Sequence, residues 1–225
     1  MITVHHLEIS RSQRVLWLLE ELGLPYEIVG YRRTKRFLAP DSLKAVHPLG
    51  KSPVITDEGH TIAESGAIIE YVLGRYGAGR LAPVAAEVDA RLRYTYWLHY
   101  AEGSLMPLLV MKLVLSKVPQ KPTPLLLRPA AWLIVEGVER AWTRPQLALQ
   151  LGFVENELGR TPWFAGSEFS AADIQMSMPL EAARTRVPLT REAHPRILDW
   201  LDRIKQRPAY QRAEARGGQA LPARS

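Results

Sequence analysis

The apolar pattern of this 225-residue chain changes character once, near residue 80, and that switch limits the possible folds more than any other feature. Before it, short β-branched runs alternate with helical stretches. After it, strand signals nearly vanish. Strands repeat with period 2 and helices with period 3.6, so the two halves cannot share one architecture. The chain therefore reads as an α/β unit over residues 1–80 and an all-helical unit over 85–225, divided where Gly77, Gly79 and Pro83 cluster.

Within the first unit, residues 2–7 (ITVHHL) read as a strand. Ser10 is placed to cap a helix starting near Arg11, with Val15, Leu18, Leu19 and Leu22 on one face. Gly23 and Pro25 end it, and residues 26–31 resume an extended pattern. Strand, helix, strand is the signature of a parallel pair with a crossover helix. A short helix over 40–46 follows, then a turn-rich loop, His47-Pro-Leu-Gly-Lys-Ser-Pro53. Residues 54–56 and 60–63 read as a hairpin, and Ser65 is placed to cap a third helix reaching Tyr76. Ile68, Ile69, Val72 and Tyr76 face inward on it.

The second unit reads as helices over 88–118, kinked at Pro107, and over 130–158, bent near Pro145. A proline-rich connection spans 119–129. Two more helices cover 170–180 and 195–206, and a frayed tail follows Tyr210.

Composition removes several chemistries. With no cysteine there is no disulfide, thiolate metal site or cysteine nucleophile. The six histidines are dispersed, without the spacing of a helix-face metal pair, so no metal is expected. Leu49-Gly50-Lys51-Ser52 ends like a phosphate-binding loop, but its first glycine is missing and the surrounding order is wrong. No GxSxG elbow is present. The first residues read as a strand, with no signal-peptide pattern, so a cytoplasmic chain without a membrane partner is expected. The net charge of +6 invites a nucleic-acid reading, but the arginines are scattered and none is expected to be bound. The one dense run, Arg32, Arg33, Lys35 and Arg36, reads as a solvated loop.

Three constellations can carry chemistry, and each also fits a plain structural role. Ser10-Arg-Ser-Gln-Arg14 stands at a helix start, where free amides and the helix dipole favour an anion. A serine hydroxyl there can donate to a thiolate or simply cap the helix. Lys51-Ser-Pro53-Val54 places a lysine, suited to a carboxylate, before a strand whose proline can be cis. Glu64-Ser65-Gly66 joins an acid to a second helix start, which suits an amino-acid head bearing both charges. A fourth, Phe169-Ser-Ala-Ala-Asp173-Ile174, is a capping box with a hydrophobic staple and is structural.

Taken in order and spacing, Ser10 with Arg14, His47 to Pro53, and Ala63-Glu-Ser-Gly66 resemble the glutathione-binding domain of glutathione transferases. Trp163-Phe-Ala-Gly166 and the capping box resemble that family's C-terminal signature, and the whole is most similar to the fungal-type branch and its bacterial relatives. The resemblance implies a thioredoxin-like βαβ-ββα domain, a C-terminal helical bundle and a homodimer. It implies that Glu64 and Ser65 hold the γ-glutamyl end of glutathione. Val54, after a cis Pro53, pairs with the cysteinyl part, and Lys51, helped by His47, meets the glycine carboxylate. Ser10 takes the catalytic place that activates the thiol, with Ser12 as its rival, and Arg14 supports the loop from beneath. Members with tyrosine or cysteine at that place differ; this chain offers no cysteine, and its first tyrosine is Tyr26.

A free thiol near pKa 8.5 is only about 3% thiolate at pH 7, and lowering it by about two units, worth roughly 2.7 kcal/mol, makes the thiolate dominant. The thiolate then attacks a hydrophobic electrophile, a detoxification chemistry. Tyr96, Tyr100, Met106 and Met111 are candidates for its pocket. Peroxide reduction, dehalogenation, isomerisation and a non-catalytic protein-binding role are the alternatives on the same scaffold.

Overall fold

The computed structural model describes residues 1–218. Strand β1 (Ile2–Leu7) leads through α1 (Ser12–Leu22) to β2 (Tyr26–Tyr31), and the two strands pair in parallel from Ile2↔Tyr26 to Leu7↔Tyr31. After the short α2 (Asp41–Lys44), β3 (Val54–Asp57) and β4 (His60–Ala63) form the hairpin, and α3 (Ser65–Tyr76) closes the unit. The sheet order is β2-β1-β3-β4, with β3 antiparallel to β1 and to β4. This is the expected βαβ-ββα arrangement. Gly23 ends α1 at φ +64°, a left-handed cap that glycine adopts without a Cβ penalty.

The helical remainder comprises α4 (Val88–Tyr100), α5 (Met106–Lys117), α6 (Arg128–Val138), α7 (Arg144–Arg160), α8 (Ala171–Arg186), α9 (Pro195–Lys205) and α10 (Pro208–Gly217). The irregularities expected at Pro107 and Pro145 lie a few residues earlier. Five-residue π turns, Ala101–Leu105 and Glu139–Thr143, precede α5 and α7, and each proline is the second residue of the resuming helix. Proline has no N–H for the carbonyl four residues back and its ring crowds that carbonyl, so the preceding turn widens.

Helix α8 is the axis of the packing: every residue from Ala171 to Ala183 is buried. A helix buried all round must satisfy its polar side chains internally. Asp173 does so as an acceptor for four donors: the amides of Phe164 and Ser170, the Ser170 hydroxyl and the Trp200 indole, at 3.0–3.2 Å. The capping box read from the sequence is present, and it also pins α9 through Trp200. Burial outweighs these donors and pushes the Asp173 carboxyl up to about 6.

Two sequence expectations fail. The tail after Tyr210 is not frayed through Gly217, since α10 runs to that residue; positions 219–225 lie outside the described residues. Trp17 of α1 meets Tyr210 of α10 edge-to-face at 5.0 Å, while Arg212 and Arg216 pair with Glu20. The basic run at 32–36 is not wholly solvated either. Arg33 donates from Nε to the Glu8 carbonyl and from Nη2 to the Ile9 carbonyl, and its amide donates to the Glu8 carboxylate. This clamps the loop that delivers Ser10.

Candidate active site

The C-terminal end of β1, the N-terminal end of β3 and the C-terminal end of β4 meet along one edge, because β3 runs antiparallel to both neighbours. That edge gathers Ser10, the Ser52–Val54 turn and Glu64–Ser65, although they are distant in sequence. The Ser52–Pro53 peptide is cis, and Val54 opens β3 between His5 and Ala63.

Ser10 sits before α1 and not at its cap, since Arg11 occupies that position and the helix begins at Ser12. The Ser10 hydroxyl donates to the Leu7 carbonyl at 2.6 Å and lies 2.8 Å from Ser12 Oγ and 3.1 Å from Ser52 Oγ. It also accepts from the Ser12 amide at 3.3 Å. Beneath it, His6 Nε2 is 2.7 Å from the Gly217 carbonyl, which can only accept, so that nitrogen carries the proton. Burial holds the His6 imidazole below its ordinary pKa, against the raising effects of Gly217 and Glu8, and so keeps it neutral. Its Nδ1 is therefore an acceptor, and the Ser12 hydroxyl donates to it at 2.8 Å. Ser12 is fully buried with its proton committed, whereas Ser10 keeps some exposure. The arrangement favours Ser10 over Ser12 as a donor to a ligand.

Glu64, not Ser65, holds the cap position of α3, and it does so at φ +71°. An exposed, non-glycine residue in this region is strained by about 1–3 kcal/mol, and such strain collects at functional sites. The Ser65 hydroxyl does not cap. It accepts from Arg14 Nη1 at 3.2 Å and from Gln175 Nε2 at 3.1 Å. Arg14 also donates to Gln175 Oε1 at 2.7 Å and pairs with Glu102 at 2.5 Å. Arg14 thus bolts the first unit to α8 and to the π turn after α4. Burial lowers the Arg14 pKa, and Glu102 opposes that effect. For Glu102, burial raises the carboxyl but Arg14 and Arg11 outweigh it, so it stays below its ordinary range.

Sequence reasoning does not single out Glu102 or Gln175. A buried arginine demands an acid, but nothing in the local sequence says which of the helical carboxylates supplies it. Of the remaining predicted residues, Lys51 is exposed and His47 half-buried, both in the loop leading to Pro53.

A cavity of about 540 Å³ opens beside Arg11 and Glu102 and is otherwise lined by Met106, Pro107, Val110, Met111, Val114 and Leu115. Met106 and Met111 fall where the sequence reading put them. Tyr96 and Tyr100 do not. Tyr100 is buried with its hydroxyl on Gln150, and Tyr96 stacks on it beside Trp97 and Phe153. Both belong to the far side of α4, which helical spacing alone could not orient.

Similarity to known proteins agrees with the two-part fold. Residues 1–74 match the glutathione S-transferase N-terminal domain and residues 105–208 the C-terminal domain. The chain is 37% identical over 209 residues to glutathione S-transferase 3 of Schizosaccharomyces pombe, covering 93% of this chain and 85% of that one. It is 36% identical over 217 residues to glutathione S-transferase 1 of Saccharomyces cerevisiae, covering 93% and 92%. The crystal structure of a glutathione S-transferase from Actinobacillus pleuropneumoniae superposes with a TM-score of 0.81 at 33% identity, over 98% of this chain and 94% of that one. With a thioredoxin-like sheet, a helical second half and relatives of this closeness along nearly its full length, the chain belongs to the glutathione S-transferase family.

Proposed function

We propose that this glutathione transferase binds glutathione along the β1–β3–β4 edge and uses Ser10 to hold its sulfur as thiolate for attack on a hydrophobic electrophile. The observation that carries the reading is the convergence of Ser10, the cis Ser52–Pro53 turn and the strained Glu64 on one edge beside a large apolar cavity.

In this scheme Glu64 meets the α-ammonium group, and the Ser65 end of α3 meets the α-carboxylate of the γ-glutamyl moiety. The Val54 backbone pairs with the cysteinyl residue, as an added strand would. Lys51, with His47, attracts the glycine carboxylate. Ser10 turns its hydroxyl from the Leu7 carbonyl toward the sulfur, and Ser52 donates to Ser10 Oγ in support. No bond to Ser10 forms; the hydroxyl stabilises charge that the helix start also favours. The electrophile occupies the cavity lined by Met106 and Met111, whose flexible side chains accept varied apolar shapes. The protein acts in detoxification as a cytoplasmic homodimer.

Titration calorimetry with glutathione, comparing the native protein with Glu64→Gln, tests the assignment. Gln keeps the side-chain length and the backbone strain while removing the charge, so affinity is expected to fall at least tenfold, about 1.4 kcal/mol or more, with an unchanged melting temperature. Equal affinity in both proteins removes Glu64 from the site. No binding to the native protein defeats the transferase reading of this edge.

A further inference from the structure

Helices α5 and α6 run out as a hairpin whose two ends differ in chemistry. Its base is an ion-paired network: Lys112 pairs with Glu139, and Arg144 with both Glu136 and Glu139. Arg140 adds a further bond to Glu136. Its tip is rich in exposed apolar side chains. Leu126 is 93% exposed, Leu125 74%, Ile134 68% and Leu133 64%, and Leu127, Trp132, Val114 and Val118 are exposed with them. Monomeric soluble proteins scatter exposed apolar residues singly; a contiguous cluster of this kind marks a contact surface.

The charge of the same segment indicates what it contacts. Between Glu102 and Glu136 the chain contains no acidic residue, but it carries Lys112, Lys117, Lys121 and Arg128. Lys112 is neutralised at the base. Lys117 and Lys121 are exposed, and among the described residues neither pairs with a carboxylate. Arg128, half-buried, donates to the Thr123 carbonyl and turns the chain into α6. The tip therefore presents leucines, an isoleucine and a tryptophan ringed by free cations and no anion. That combination is complementary to a surface whose headgroups are anionic and whose interior is hydrocarbon. A protein partner of ordinary mixed charge leaves the absence of acid over so long a stretch unexplained.

We propose that the α5–α6 tip is a peripheral docking element for anionic phospholipid bilayers, with Leu125–Leu127 and Trp132–Ile134 entering the headgroup–acyl boundary and Lys117 and Lys121 contacting the headgroups. The ion-paired base marks the depth at which insertion stops, because burying that network in lipid carries a desolvation cost. The element is placed on the surface and not across the bilayer: the leucine run and the first turns of α6 are far shorter than a crossing, and Val88–Lys117, long and apolar enough for one, packs on α8 through α4, the Ala101–Leu105 turn and α5. Val114 lines the cavity and is itself exposed, so the cavity opens toward the same face of α5 that carries the tip.

Co-sedimentation of the full chain with vesicles of equimolar phosphatidylglycerol and phosphatidylcholine, against phosphatidylcholine alone, tests this. The native protein is expected to partition to the anionic vesicles, and less so at high salt. Lys117→Gln and Lys121→Gln are each expected to weaken partition by roughly fivefold. Leu126→Asp with Leu133→Asp is expected to abolish it, and because these side chains are exposed, the melting temperature and glutathione binding stay unchanged. Light-scattering mass is measured for the same proteins. Failure of the native protein to sediment with anionic vesicles overturns the proposal. A fall in mass of the double-aspartate variant also overturns it, since the tip is then covered by a second copy of the chain.

Discussion

Glu102→Gln removes the charge that faces both the buried Arg14 and the more exposed Arg11. The Arg14 side chain is 2% exposed and the Glu102 side chain 30%, so the pair is buried on one side and half-wet on the other. Removing one partner of a fully buried pair costs about 3–5 kcal/mol, because the remaining charge is left uncompensated. Here Gln retains an acceptor for Nη2, Arg14 keeps Ser65 and Gln175, and water reaches Glu102, so a loss of about 2–3 kcal/mol is expected. For a protein of this size that lowers the melting temperature by about 4–12 °C. Replacing both members, Arg14→Met with Glu102→Met, is expected to cost less than the single change, since neither leaves a buried charge and Gln175 still donates to Ser65. The pH response has a definite sign. The Glu102 carboxyl titrates below its ordinary value in the fold, so its contribution is present above the unfolded pKa of about 4.3 and is lost as pH falls through the lower folded value. Urea unfolding of the native protein and the Glu102→Gln variant between neutral and acid pH reads both effects. A loss below about 1 kcal/mol at neutral pH, or a double variant less stable than the single, refutes the argument that Glu102 compensates Arg14.

Other expectations follow from neighbouring geometry. Ser10→Ala is expected to raise the pKa of bound glutathione, seen as thiolate absorbance against pH, whereas Ser12→Ala shifts it less, because Ser12 gives its proton to His6; the reverse order exchanges the two roles. Gly217→Ala places a methyl against Leu16 and 2.7 Å from Gln13 Oε1, so these side chains or α10 must shift and stability is expected to fall by about 1–3 kcal/mol in urea titration; an unchanged midpoint shows that the side chains yield without cost. Asp173→Asn turns an amide donor toward four donors, for an expected loss of about 2–3 kcal/mol. The Asp173 carboxyl is raised to about 6 in the fold, so its contribution is greatest below the unfolded value of about 3.9 and declines as pH rises through 6. The Asn variant is expected to lack that decline, and a decline of equal slope assigns it to another group.

Much of this protein is written locally. The parallel β1–β2 pair, the β3–β4 hairpin and the capping box of α8 follow from periodicity, turn residues and caps, all set by neighbours a few positions apart. The cis Ser52–Pro53 turn and the serines at the start of α1 were legible for the same reason. Helical spacing could name Met106 and Met111 for the cavity, but it could not tell them from Tyr96 and Tyr100, which the bundle turns toward Phe153 and Gln150. Nor could it show that Ser65 serves Arg14 and Gln175 instead of capping its own helix, that the last residue of α10 reaches back to His6, or that Arg33 clamps the Ser10 loop. The sequence by itself determined the elements and the chemistry each can offer. Tertiary packing alone decided which serine is tied to His6 and which acid faces Arg14, because a buried polar group takes whatever partner the fold brings within about 3 Å, without regard to separation along the chain.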